Sequence, residues 1–223
     1  MRTAIFLSSL LTILLFINCD PENSEDINQD RISTDYSLTY NDNKTETEAA
    51  ASFTFGSTPL RLTSPASITA DDASMKQREF LGIVDYYKTF TQAKSQVRFD
   101  YSDLDGRTFT NTATIPNEIQ MPASLTTFSR TQDQIIEWVG SAIAEDESVF
   151  LEITKDDSYF SSSKSNIGST SILLNASDLG TSFIGEVKIK ISRQKTSELQ
   201  EAPRNGKIRV TYTSKAIAVM VTE

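Results

Sequence analysis

The chain has 223 residues, of which 38% are hydrophobic, and its net charge is −9. So acidic a chain is not expected to bind nucleic acid, which requires clustered Lys and Arg. It has no histidine and a single cysteine, which excludes His-dependent catalytic triads, His-ligated zinc or haem, and disulfide bonds within the chain.

The N-terminal segment has the pattern of an export signal. Arg2 precedes apolar or small residues from Ala4 to Ile17, too short a run for the roughly 20 residues of a membrane span. The run ends in Leu15-Phe16-Ile17-Asn18-Cys19, which resembles a bacterial lipobox. This resemblance implies transfer of diacylglycerol to the Cys19 thiol, cleavage between Asn18 and Cys19, and N-acylation, with palmitate as a typical acyl chain. An ordinary secretory signal and an uncleaved anchor are the alternatives.

The residues after the cysteine are acidic and polar. Residues 19–35 contain few large apolar side chains, so we expect them to form a flexible tether after a signal peptide at residues 1–18. Acidic residues in this position also resemble the surface-export signal of some Bacteroidetes lipoproteins. The expected location is the bacterial cell envelope, at the outer membrane, facing the periplasm or the cell surface. The expected membrane contact is the lipid on Cys19.

Beyond the tether, apolar and polar residues alternate with a period of two, which predicts half-buried β-strands. The alternating apolar residues are Ala51, Phe53 and Phe55; Val97, Phe99 and Tyr101; Phe109, Ala113 and Ile115; Val149, Leu151 and Ile153; Val187, Ile189 and Ile191; and Ile208, Val210 and Tyr212. We predict an all-β fold of two antiparallel sandwiches, over residues 36–122 and 123–223. Pro116 and Pro122 favour an extended linker between them. The last strand, from Ala216 to Val221, is apolar on both faces and predicts a central or covered position.

Several segments of the first predicted sandwich resemble a group of bacterial lipoproteins with immunoglobulin-like β-sandwiches. They are Tyr40–Thr45, Ala49–Gly56, Thr58–Leu62, Pro65–Ile68 and Asp103–Asn111. The resemblance implies two immunoglobulin-like domains in tandem. It brings no catalytic residue and no established ligand.

Three carboxylates lie close together in the sequence around a predicted hairpin turn. Asp100, Asp103 and Asp105 are oxygen ligands of the kind that Ca²⁺ prefers, although the spacing is not that of an EF-hand loop. Asp is also the residue type that stabilises a turn by accepting hydrogen bonds from its own backbone. Calcium binding and turn formation are the two interpretations of this cluster, and turn formation is favoured.

Three aromatic residues are candidates for ligand contact. Tyr86 and Tyr87 are adjacent in a predicted strand, so their rings point to opposite faces and one is expected at the surface. Trp138 is either a platform for a sugar or a core residue. We expect a non-catalytic envelope lipoprotein that has no cofactor and that binds a protein or a glycan. A passive spacer and a carboxylate-dependent glycoside hydrolase are the alternatives.

Overall fold

The computed structural model describes residues 20–223, so the predicted signal peptide and Cys19 lie outside the described residues. Within residues 20–223 the chain forms twenty β-strands and three 3₁₀ turns, and no helix there is long and apolar enough to cross a bilayer. The strands of the N-terminal half are β1 (Glu22–Asn23), β2 (Ser33–Asn41), β3 (Glu46–Phe55), β4 (Thr58–Arg61), β5 (Ser67–Ala70), β6 (Ala73–Ser74), β7 (Lys76–Phe80), β8 (Ile83–Phe90), β9 (Gln96–Ser102) and β10 (Thr108–Thr114). Those of the C-terminal half are β11 (Ile119–Gln120), β12 (Thr127–Ser129), β13 (Gln134–Glu137), β14 (Val139–Gly140), β15 (Glu147–Lys155), β16 (Ser158–Lys164), β17 (Ser171–Leu174), β18 (Gly185–Glu198), β19 (Lys207–Thr213) and β20 (Ile217–Thr222). The 3₁₀ turns are Ser24–Asp26, Gln29–Arg31 and Thr181–Phe183.

The first sandwich encloses an aromatic core. Strands β2, β3 and β8 belong to one sheet, and β10, β9, β5 and β6 form the other, in that order. The ring centroids of Tyr36 and Phe99 lie 4.7 Å apart, and those of Phe53 and Tyr101 lie 4.6 Å apart. Because side chains of a strand alternate between its two faces, the apolar alternation of β3 and β9 directs these rings into one layer.

The second sandwich has a mainly aliphatic core. Strands β15, β18 and β20 lie in one sheet, and the two-stranded sheets β13–β17 and β11–β14 supply the opposite layer. The alternating residues Val149, Leu151 and Ile153 of β15 are fully buried, as predicted. Two pairs of packed layers with separate cores confirm the all-β, sandwich fold class, although the pairs β1–β4, β12–β20 and β2–β19 are parallel and not antiparallel as predicted.

The two sandwiches share one continuous sheet. Strand β19 pairs in parallel with β2, with Ile208 opposite Tyr36 and Thr213 opposite Asn41. Ile208 and Val210 therefore lie in the first core, whereas Tyr212 lies in the second. The structure differs here from the predicted second domain of residues 123–223. Periodicity locates a strand but does not show which partner it pairs with, so the sharing of β19 was not predicted.

The predicted tether over residues 19–35 is also corrected, because its described part is folded against the first sandwich. Strand β1 pairs with β4, and Pro21, Ser24 and Gln29 are buried. The Gln29 amide donates to the Ser24 and Ile27 carbonyl oxygens, each at 2.8 Å. Ile32 is fully buried in the first core and Ile27 packs against it, so two apolar contacts and polar side chains that satisfy backbone groups hold the segment together.

One further expectation needs correction, and another is confirmed. The segment predicted as a linker carries β11, which pairs with β14, and its Ile119 and Met121 are buried in the second core. The boundary between the cores thus falls before residue 119 rather than at Pro122. Strand β20 pairs with both β18 and β12 and is therefore central in the sheet, as predicted, and Met220 on its outer face is 46% exposed.

Candidate interaction surface

The two adjacent tyrosines lie on opposite faces of β8, as the alternation predicted. The Tyr86 ring is in the first core, and its hydroxyl accepts a hydrogen bond from the Leu62 N–H at 2.7 Å. Tyr87 is half-exposed on the outer face, where the Arg78 guanidinium carbon lies 4.8 Å from its ring centroid. The prediction that Tyr86 contacts a ligand is therefore wrong, because its ring is used in packing. Tyr87 stays a candidate.

Trp138 is a core residue. It is 6% exposed, and its indole N–H donates to the Ser141 carbonyl oxygen at 3.1 Å. A buried tryptophan whose N–H is satisfied by the backbone stabilises the fold and offers no ring face to a ligand. The interpretation of Trp138 as a ligand contact is therefore wrong, and the core interpretation is confirmed.

The three turn carboxylates serve different partners. Asp103 is buried, and its Oδ1 accepts from the N–H groups of Asp105 at 3.0 Å and Arg107 at 2.9 Å. Asp100 accepts from the Thr110 hydroxyl at 2.8 Å and from the Arg98 guanidinium at 2.8 Å. Across residues 20–223 no group of three or more His, Cys, Asp or Glu side chains could hold a metal ion. These contacts favour the turn interpretation for Asp103, whereas Asp100 is engaged by Thr110 and Arg98 outside the turn and Asp105 by Arg107.

An open sheet edge lies in the second sandwich, along β13. This strand pairs only with β17, with Gln134 opposite Leu174 and Glu137 opposite Ser171. In the same register, the Trp138 N–H donates to the Thr170 carbonyl oxygen at 3.2 Å. Because hydrogen-bonded and non-hydrogen-bonded pairs alternate in an antiparallel ladder, the N–H and C=O groups of Ile135 and Glu137 point away from β17.

These outward groups border a groove. The segment from Pro122 to Thr127 forms the opposite wall of a cavity of about 430 Å³ whose other wall is Gln134–Glu137. The N–H groups of Ile135 and Glu137 have no hydrogen-bond partner among the described residues, and the Ile135 carbonyl accepts only from the Gln134 side chain, at 3.0 Å. Ile135 and Glu137 are two residues apart, which is the spacing at which an added strand forms its hydrogen bonds.

The surface beside this edge is apolar. Ile135 is 61% exposed and Leu173, its cross-strand neighbour, is 48% exposed. Val139, two residues after the end of β13, is 58% exposed. A strand that pairs along the β13 edge would find backbone partners in the plane of the sheet and apolar side chains on its outer face. The arrangement suits an extended polypeptide rather than a small molecule.

A second cavity, of about 450 Å³, lies where the two cores meet. The rings of Tyr40 and Tyr212, whose centroids are 5.5 Å apart, line it together with Lys94 and Glu118. Burial raises the pKa of Tyr212 to about 12, and burial followed by the adjacent Asp42 raises the pKa of Tyr40. Both hydroxyls therefore stay protonated at neutral pH, and that of Tyr40 donates to Asp42 at 3.1 Å.

The sequence contained a signal for the β13 edge that the predictions did not use. Ile136 and Trp138 point into the core, so Ile135 must lie on the opposite face, where the other strands carry polar residues. A large apolar residue on an outer face indicates a contact surface. That β13 lacks a second partner strand could not be predicted from one sequence.

No protein-family model matches the chain, and no curated protein matches it. Among solved structures it is similar to an I-band fragment of titin, at 9% identity and a TM-score of 0.24, and to a three-immunoglobulin-domain titin structure carrying Glu-to-Ala changes, at 11% identity and a TM-score of 0.22. Each alignment covers 86% of this chain and 64% of the titin chain, less than two thirds of it. The fold assignment therefore relies on the sheet topology described above.

Proposed function

We propose that the protein is a non-catalytic interaction module of the bacterial cell envelope, held at the outer membrane by acylated Cys19, and that β13 binds an extended segment of a partner protein. The observation that carries the proposal is the unpaired β13 edge, with the outward N–H groups of Ile135 and Glu137 beside an apolar surface. An added strand would satisfy these groups and give specificity through alternate side chains.

The binding site lies away from the anchored end of the chain. Strand β2 runs from Ser33, which pairs with Thr54, to Asn41, which pairs with Thr213. The described N-terminus packs near the Ser33 end of β2, since β1 pairs with β4. Tyr212 of the second core lies at the other end, about 25–30 Å along the strand. An anchor at Cys19 would then hold the second sandwich at a distance from the bilayer, accessible to a partner.

Photo-crosslinking in cells tests the binding site. A photoreactive residue at Ser124, on the exposed groove wall, is expected to crosslink to a partner protein, whereas one at the exposed Tyr159 of β16 is not. The change Ile135→Pro should abolish the crosslink because it removes one outward N–H without removing a β13–β17 hydrogen bond. The control Ile135→Val keeps that N–H and should retain the crosslink. Equal crosslinking from Ser124 and Tyr159, or none from either, would contradict the proposal and favour a spacer.

Acylation is tested separately by mass. The intact protein purified from cells should carry the mass of a diacylglyceryl group and an N-acyl chain on Cys19, and Cys19→Ser should move it from the membrane fraction to the soluble fraction. An unmodified Cys19 thiol in the purified protein would overturn the anchor and leave the β13 site to its own test.

A further inference from the structure

A second exposed apolar feature lies in the first sandwich, at the tip of the β7–β8 hairpin. Phe80, Leu81 and Ile83 are 69%, 85% and 64% exposed. Strand β8 pairs with β3 only from Tyr86 to Phe90, so the residues at the tip pair with each other and not with β3. Three large apolar side chains at an exposed turn are unfavourable in water, which indicates contact with an apolar phase or a partner.

The backbone of the tip adds a second indication. Leu81 has φ +49° and Gly82 φ +77° in the two-residue turn between Phe80 and Ile83. Turns of this type favour Asn or Asp before Gly, because a branched or bulky side chain at positive φ is strained. A leucine here is both exposed and strained, so folding does not explain its presence. Such positions are characteristic of functional sites.

Contacts of the side chains locate the N-terminal segment beside this tip. The Arg61 guanidinium donates to the Pro21 carbonyl oxygen at 2.8 Å and to the Glu79 carboxylate at 2.7 Å. Glu79 directly precedes Phe80, so Pro21 and the tip lie on either side of one arginine. Because consecutive Cα atoms are about 3.8 Å apart, a lipid anchor two residues before Pro21 would be attached no more than about 8 Å from it. A lipid on Cys19 would enter a bilayer close to the hairpin tip.

The charges behind the tip are already paired. Arg78 donates to Asp85 at 2.5 Å, and Arg61 pairs with Glu79, whose pKa the hydrogen bond from Arg61 lowers. In the adjacent N-terminal segment Asp20, Glu22, Glu25 and Asp26 are exposed carboxylates, so this end has no excess of positive charge to attract anionic headgroups. Contact with a bilayer at this end would therefore depend on apolar burial rather than on anionic lipids.

We infer that the β7–β8 hairpin tip inserts Phe80, Leu81 and Ile83 into the interface of the bilayer that holds the Cys19 lipid. This inference rests on the proposed anchor and deepens it, because two contacts at one end of the chain fix the orientation of the molecule where a lipid alone would let it rotate. The first sandwich then rests on the membrane, and the second sandwich, which carries the β13 edge, lies towards the other end of β2.

Fluorescence in vesicles tests the inference with the acylated full-chain protein. Leu81→Trp and, as a matched control in the second sandwich, Tyr159→Trp are each reconstituted into vesicles of neutral phosphatidylcholine with and without bromine on the acyl chains. Trp138 is the only native tryptophan and is buried, so it supplies a constant background. The Leu81→Trp emission should shift to the blue and lose at least half its added intensity in brominated lipid, and that of Tyr159→Trp should not change.

The membrane affinity of the tip gives an independent measurement. Replacing Phe80, Leu81 and Ile83 together by Ser, in protein that also carries Cys19→Ser, should weaken partitioning into phosphatidylcholine vesicles at least about tenfold relative to Cys19→Ser alone. Added anionic lipid should strengthen partitioning of neither protein, because this end of the chain is acidic.

The outcomes separate the two proposals. If acylated protein floats with vesicles but Leu81→Trp is not quenched, the tip inference fails and the anchor stands. If the mass shows no acyl chains and the protein does not float, the anchor fails and the inference falls with it. A blue shift that depends on protein concentration and not on brominated lipid would show that the tip binds a second copy of the chain, which also overturns the inference.

Discussion

The free edges of two strands, β10 in the first sandwich and β13 in the second, differ in how the chain treats them. Strand β10 pairs only with β9, but Gln200 and Glu201 lie along its other side. The Gln200 amide accepts from the Thr112 N–H at 2.8 Å and donates to the Thr112 carbonyl at 3.3 Å, as a paired strand would. Glu201 accepts from the Thr110 N–H at 2.7 Å. No described segment covers β13 in this way.

This difference teaches how an exposed edge is to be interpreted. An unprotected edge invites unwanted pairing, and proteins therefore cover most edges or place charges on them. The chain covers β10 with the loop that leads to β19, whereas β13 keeps an exposed Ile135 beside its one charged residue, Glu137. A protein that protects one edge and leaves another apolar is expected to use the second edge for binding.

The largest expected effect comes from releasing the loop that covers β10. Asn111 is buried, accepts from the N–H groups of Gln200 at 2.9 Å and Glu201 at 3.2 Å, and donates to the Glu201 carbonyl at 2.8 Å. Asn111→Ala should lower the free energy of unfolding by about 2–4 kcal/mol, because it removes three hydrogen bonds and leaves their backbone partners unsatisfied. Urea unfolding followed by circular dichroism measures this. A loss below about 1 kcal/mol would mean that the loop does not depend on Asn111.

A smaller effect is expected from the Glu201 side chain alone. Glu201→Ala leaves the Thr110 N–H to water, since this part of the edge is exposed, and should cost about 1 kcal/mol. Glu201→Gln keeps an acceptor oxygen and should lose less than half of that. Both variants should also be compared by light scattering at high concentration, since an uncovered β10 is expected to associate through its edge. Equal stability of the two variants would show that the carboxylate does not protect the strand.

Periodicity in the sequence predicted most of the fold. The apolar alternation of β3, β9, β15, β18 and β19 is buried as expected, and the Asp-Gly turn forms the β9–β10 hairpin, with Gly106 at φ +77°. What it did not show is pairing between strands far apart in the chain. The parallel pair β2–β19 joins residues about 170 positions apart, and a strand's own pattern is the same whichever partner it has.

The site was harder to predict for a related reason. Tyr86, Tyr87 and Trp138 were selected as aromatic side chains, but an aromatic residue is more often used for packing, as Tyr86 and Trp138 are. The proposed site instead consists of backbone groups, which every residue carries and which become a site only when no strand pairs with them. The folded N-terminal residues were missed because Gln29 and Ser24 stabilise that segment through hydrogen bonds, which composition does not show.

The smallest effect on stability is expected at the exposed Ile135 of β13, and its buried neighbour Ile136 serves as the comparison. Ile136 is 1% exposed and Ile135 is 61% exposed, so the same change tests a core position and a surface position of one strand. Ile136→Thr should cost more than about 2 kcal/mol, because it removes buried apolar contacts and buries a hydroxyl. Ile135→Thr keeps a β-branched side chain on the outer face and should change the free energy of unfolding by less than about 0.5 kcal/mol.

If Ile135 contributes nothing to folding but is required for the Ser124 crosslink to a partner, its side chain is present for binding. Urea unfolding of Ile135→Thr and Ile136→Thr, together with the crosslinking yield of Ile135→Thr, measures this directly. A stability loss at Ile135 that approaches the loss at Ile136 would show that the exposed face is part of the folding core in solution. The β13 surface would then be covered by the protein itself, and the contrast with β10 would no longer indicate a binding edge.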